Sequence, residues 1–353
     1  MEMTYYKNVL INVDEDSWKK YKTLPPASFV TGNLNFNFIE VLLHIGLATR
    51  HPEEIGISVN EFWAFLRYIN CFQTDSSFKL NKKWADVDPH QKTILSDDFG
   101  MGFASYYLTK KMKIMAMTNT GYFLKYLPSL SVRSTSKRGP SKSPDFILLD
   151  QYLNLHILEC KGTQNSIGAL NQQMIKAASQ KYNVSDTKGI ISEKLRTGLF
   201  IPQFNSKDDA HFEVADPDFS LCFDSIDKNV IITKVLQGQL AKELHMVNLI
   251  SLANSVASAS DLKLIKVDTI IETISNTAEI AYDQSILNDS AKIKWSVYFD
   301  LSFLEEKKDL SNLHNLFLNL CEERVRYFKS YVKDNRLTFD GLFGLKMQAT
   351  LTD

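Results

Sequence analysis

Asp145, Glu159 and Lys161 are the residues of this chain whose types and spacing suit chemistry. They lie in Ser143–Thr163, SPDFILLDQYLNLHILECKGT, where Asp145 opens one short apolar run and Glu159 and Lys161 close the next. The five residues Asp150 to Asn154 between the runs suit a hairpin connection, which carries Asp145 back beside Glu159. Side chains two apart in a strand share a face, so Glu159 and Lys161 point one way and Cys160 the other. Two carboxylates and an ammonium thereby gather at one end of a buried sheet. Held together alone, the two acids repel and one pKa rises. A hard, oxygen-seeking ion such as Mg²⁺ relieves that repulsion, and so does the lysine. Such a group can acidify a water and offset charge on an attacked phosphate, which is what phosphodiester hydrolysis requires.

These residues need elements to hold them. Ser96-Asp97-Asp98 has the form of a helix start, followed at helical spacing by Phe99, Phe103, Tyr106, Tyr107 and Lys110. A β-like stretch at Gly121–Leu130, strands at Phe146–Leu149 and Leu155–Leu158, a helix over about Ser166–Tyr182 and a strand at Gly198–Phe204 come next. The order helix, strand, strand, strand, helix, strand predicts a mixed α/β layer. It occupies residues 93–232, between a mostly helical region 1–92 and a mostly helical region 233–353. In the first flank, Phe38, Val41, Leu42, Ile45 and Leu47, then Val59, Phe62, Trp63, Leu66 and Ile69, carry helical spacing. In the second, Val235–Ala259 and Leu313–Val332 read as helix, with Leu337–Gln348 as a closing strand.

Composition narrows the classes. With 44% apolar and 23% charged residues over 353 positions, the chain is an ordinary globular one. Four scattered cysteines (Cys71, Cys160, Cys222, Cys321) form no CxxC pair, which argues against a zinc ribbon or a disulfide framework and for a reducing, cytoplasmic setting. Nothing reads as a secretory leader or a membrane span. Gly100 and Gly102 match neither a dinucleotide nor a P-loop fingerprint. Net charge is −1, so a nucleic-acid partner must be argued locally. From Tyr106 to Pro144 there are eight basic residues and no acidic one, with Arg133, Lys137, Arg138 and Lys142 in a Ser/Thr-rich loop leading into Asp145. That run suits phosphate contacts, though a solvated basic loop has the same composition.

Pro144-Asp145 followed by Glu159-Cys160-Lys161 resembles the signature of the PD-(D/E)XK, or restriction-endonuclease-like, nuclease superfamily, over roughly residues 95 to 205. The resemblance implies a mixed central sheet flanked by helices, with helical N- and C-terminal additions. It implies Asp145 and Glu159 as Mg²⁺ ligands, with Mn²⁺ able to substitute, the Cys160 carbonyl as a further ligand, and Lys161 as the residue that positions water or stabilises charge. It also implies an acid on the first core helix, here Asp98 or its neighbour Asp97, and substrate contacts from the second, here Gln173 and Gln180. The function so implied is a Mg²⁺-dependent endonuclease acting on DNA, in phage defence, restriction or mobile-element processing. The flanks would dock protein partners, and a homodimer is compatible with the reading. An inactive DNA-binding or assembly module of the same fold, or a nuclease acting on RNA, is the alternative.

Overall fold

In a computed structural model, the described residues are 5–20, 22–53, 68–127, 143–179, 190–216 and 227–266, with 268–269, 272, 280–286, 291–299, 309–311, 313, 315–318, 331–333 and 336–352. Twelve strands are assigned among them: β1 Tyr6–Val13, β2 Gly32–Asn37, β3 Ile114–Asn119, β4 Phe146–Asp150, β5 Leu155–Thr163, β6 Ile191–Phe200, β7 His211–Ala215, β8 Ile280–Ile286, β9 Ala291–Phe299, β10 Tyr331–Lys333, β11 Arg336–Asp340 and β12 Leu345–Thr352. The α-helices are α1 Glu15–Lys20, α2 Phe38–Thr49, α3 Pro89–Met112, α4 Thr120–Tyr126, α5 Ile167–Ser179, α6 Lys228–Met246 and α7 Ile250–Ser258. The protein is α/β. A seven-stranded mixed sheet runs β2-β1-β7-β6-β5-β4-β3, and a five-stranded antiparallel sheet runs β10-β11-β12-β9-β8. No helix among the described residues is long and apolar enough to cross a membrane.

β4, β5 and β6 are adjacent interior strands of the large sheet. Every residue of β4 is buried, as expected of a strand covered on both faces. The β4–β5 hairpin is antiparallel, with Phe146 opposite Leu158 and Leu149 opposite Leu155. Its turn is held by Asp150, whose carboxylate accepts from the Tyr152 and Asn154 backbone N–H groups at 2.8 Å each. β5 then runs parallel to β6 as far as Thr163.

One sheet face meets α3, and the approach is very close. A Cβ on Gly162 would lie 1.8 Å from the Ser96 carbonyl oxygen, and one on Gly100 would lie 2.8 Å from the Lys161 carbonyl. Only glycine lets the two backbones pass at that distance. On the opposite face α5 packs Leu170 and Met174 against Gly198.

The flanks differ from the sequence expectation. The N-terminal region supplies strands β1 and β2 to the central sheet, with β1 antiparallel to β2 and parallel to β7. The alternation in β1 is concealed because its inward positions include Lys7 while Leu10 points outward. The Lys7 ammonium is buried and donates to the carbonyls of Gln73 (2.5 Å) and Asp75. The stretch read as a strand over Gly121–Leu130 contains helix α4, and the strand lies just before it in β3. The C-terminal region is helical in α6 and α7, and again at 313 and 315–318 where a helix was expected, but it also builds the second sheet, where Leu337, Phe339, Leu345, Met347 and Ala349 alternate into the core. Tyr331 and Val332, expected to end a helix, lie in strand β10. Residues 54–67, where a helix was expected, lie outside the described residues.

Candidate active site

Asp145 stands immediately before β4, at the point where that strand's pairing with β5 ends. Its main chain is fixed by the Thr120 N–H, which donates to the Asp145 carbonyl at 3.0 Å. Its side chain crosses to β5, where Oδ2 accepts from the Cys160 N–H at 2.7 Å. Glu159 and Lys161 share one face of β5, and the Lys161 Nζ lies 2.5 Å from Glu159 Oε1. That face is the one α5 covers: Arg196, opposite Glu159 on β6, donates to the Met174 carbonyl at 2.8 Å, and Gly198, opposite Lys161, lies under Met174. Cys160 points the other way and is buried. The structure therefore brings Asp145, Glu159 and Lys161 into one group.

Glu159 is 3% exposed, while the Lys161 side chain keeps 29% of its surface open. Burial raises Glu159 first and the negative charge of Asp145 raises it further; Lys161 works against both, leaving Glu159 at about 7. Burial also raises Asp145, offset by the Cys160 N–H and by Lys161. Lys161 is lowered by burial but raised overall, because Glu159 and Asp145 hold its proton. Two acids sharing a dry site with one cation remain short of positive charge. Glu159 Oε2 is buried with no hydrogen-bond partner.

Asp98, expected at this group, accepts through Oδ2 from the Tyr68 hydroxyl at 2.6 Å. Its neighbour Asp97 senses the group, raised by burial and by Asp145 and lowered by Lys161. The two acids are not at a helix start. α3 begins seven residues earlier than Ser96, at Pro89, capped by Asp88 Oδ1 accepting from the His90 N–H at 2.8 Å. Gln173 is half-buried, with an enclosed Oε1 that lacks a hydrogen-bond partner. Arg133, Lys137, Arg138, Lys142 and Gln180 lie outside the described residues.

The donor set suits a divalent ion, given two carboxylates on facing strands and an unsatisfied buried oxygen. Among the described residues no group of three or more His, Cys, Asp or Glu side chains is gathered to hold a metal. Mg²⁺ is commonly held by one or two carboxylates, with waters and substrate phosphate completing its shell, so a pair matches its demand.

Sequence reasoning missed Gln164. It follows β5, is 6% exposed, and joins β5 to α3 and to two loops by side-chain hydrogen bonds. A glutamine after an apolar strand carries no signal of that kind. Comparison of the chain with protein-family models, with curated proteins and with solved structures finds no match.

Proposed function

We propose that the chain is a divalent-metal-dependent endonuclease of the restriction-endonuclease-like kind, hydrolysing DNA phosphodiester bonds. The observation that carries this reading is the convergence of Asp145, Glu159 and Lys161, with the Glu159 carboxylate buried and one oxygen unpartnered. Asp145 and Glu159 would hold the ion, with the Cys160 carbonyl as a further oxygen and Asp97 acting on the group through its charge from α3. A Mg²⁺ bound there supplies an acidified water and neutralises charge on the attacked phosphate. Lys161 is held by Glu159 and keeps part of its side chain open, so it would donate hydrogen bonds to water or to a phosphate oxygen. Burial around Glu159 strengthens each of these electrostatic effects relative to bulk water. The basic run before Asp145 supplies positive charge for the DNA backbone.

Supercoiled plasmid incubated with Mg²⁺ or Mn²⁺ tests the reading. Wild type is expected to nick it, and Glu159→Ala and Lys161→Ala to lose nicking. No metal-dependent nicking above the variants would instead support a DNA-binding module without cleavage. A parallel RNA panel separates the two nuclease readings. Arg138→Ala with Lys142→Ala is expected to weaken DNA binding and flatten its salt slope by about 2, the loss of two phosphate contacts. An unchanged slope removes that segment from the interface.

A further inference from the structure

We propose that Gln164 is a positioning residue: it sets helix α3, and with it Asp97, relative to Asp145 and Lys161. The inference rests on the metal-site reading above and extends it to a residue outside the acid–lysine group.

Gln164 uses its whole side-chain amide. Nε2 donates to the Lys92 carbonyl (2.7 Å) and to Ser96 Oγ (3.0 Å), two positions one turn apart on α3. Oε1 accepts from Trp84 Nε1 (3.2 Å) and from Gln203 Nε2 (3.0 Å). Two donors and two acceptor positions are all that a primary amide offers, so the side chain is saturated in one orientation. The contacts tie four segments together: the end of β5, the N-terminal turns of α3, the 3₁₀ turn Lys82–Asp86, and the segment after β6.

The joint falls where position matters. Ser96 immediately precedes Asp97, and its hydroxyl also donates to the Lys92 carbonyl at 2.9 Å. Gly162 sits under the Ser96 carbonyl and Gly100 over that of Lys161. The glycines allow the helix to approach but do not fix its height along the strand. The directional bonds from Gln164 to Lys92 and Ser96 do fix it. A helix that slides or tilts there carries Asp97 with it, and the field of Asp97 at Lys161 and Asp145 changes accordingly. Buried, fully satisfied polar networks specify one arrangement in this way.

The test is Mn²⁺ binding by isothermal calorimetry on the full chain without DNA. The variants are Gln164→Met, Ser96→Ala, Asp97→Asn and the double variant Asp97→Asn/Gln164→Met. Gln237→Met is the control: its amide is equally buried, donating to the carbonyls of Val256 (2.5 Å) and Ala259 (2.9 Å). The expected result is a roughly tenfold weaker Kd for Gln164→Met, a smaller loss for Ser96→Ala, none for Gln237→Met, and a double variant no weaker than Asp97→Asn alone. Should Gln164→Met fail to fold, Ser96→Ala alone carries the comparison. Wild-type affinity in Gln164→Met, or additive losses in the double variant, overturns the positioning role while leaving the metal site standing. Wild type that binds no Mn²⁺ overturns the metal site and this role together.

Discussion

Replacing Glu159 with glutamine should make the protein more stable and disable it. Glu159 is buried beside Asp145, and its carboxyl is pushed from the ordinary 4.5 up to about 7. Holding that group ionised above pH 7 costs the fold about 3 kcal/mol. Glutamine removes the charge, but its amide nitrogen would stand where Glu159 Oε2 has no partner, at a cost of about 1–2 kcal/mol. The net expectation at pH 8 is a gain of about 1–2 kcal/mol. The pH dependence is more diagnostic. The folded protein keeps the Glu159 proton to higher pH than the unfolded chain does, so this residue's contribution is fully present below about pH 4.5 and is lost as pH rises through about 7. The advantage of Glu159→Gln should therefore appear between pH 4.5 and 7 and vanish in acid. Urea denaturation in EDTA at pH 8 and pH 4.5 measures it. Mn²⁺ should stabilise wild type at pH 8 far more than the variant. A variant less stable than wild type at pH 8, or one whose difference ignores pH, would refute the electrostatic reasoning.

Further outcomes follow from other contacts. Gly162→Ala places a Cβ 1.8 Å from the Ser96 carbonyl oxygen and should cost about 3 kcal/mol or more; Gly121→Ala, with nothing within 4 Å, should be neutral or stabilising by about 0.5–1 kcal/mol, and equal effects would refute the close approach of α3. His44 is driven down to about 3 by burial and by Lys110, so the stability it contributes above its ordinary 6.5 is lost as pH falls. His44→Leu should make the decline in unfolding free energy below pH 6.5 shallower by up to about 1.4 kcal/mol per pH unit, and parallel urea profiles would count against this. The fully buried Glu243 carboxylate accepts from the backbone N–H groups of Leu342 (2.7 Å), Phe343 (2.8 Å) and Leu345 (3.4 Å). Glu243→Ala should cost about 3 kcal/mol and speed amide exchange at those three residues, and unchanged exchange would show that the carboxylate does not hold the loop.

The central layer was legible because its signals are local. Apolar runs bounded by a turn gave the β4–β5 hairpin, period two placed Glu159 and Lys161 on one face, and helical spacing gave α3 and α5. The N-terminal strands were not legible. Lys7 faces inward and Leu10 outward, so the alternation that should mark β1 is inverted at two positions, and its partner β7 is some two hundred residues distant. The start of α3 lies seven residues before Ser96, because Asp97 and Asp98 mimic first-turn acids in the sequence. Asp97 and Asp98 are instead interior positions with tertiary uses, one beside the site and one bonded to Tyr68. Which of the two acids comes under the influence of Asp145 and Lys161 depends on the rotation of α3 over β5. That rotation is set by Gly100, Gly162 and Gln164, and no spacing rule encodes it.

Crystals of the protein soaked in Mn²⁺ and measured for anomalous scattering address the metal site most directly. An ion bound between the Asp145 and Glu159 carboxylates, with Lys161 displaced from Glu159 or turned toward its waters, is the predicted result. Saturating Mn²⁺ that leaves no anomalous peak at those carboxylates, with the Lys161–Glu159 pair intact, would contradict it.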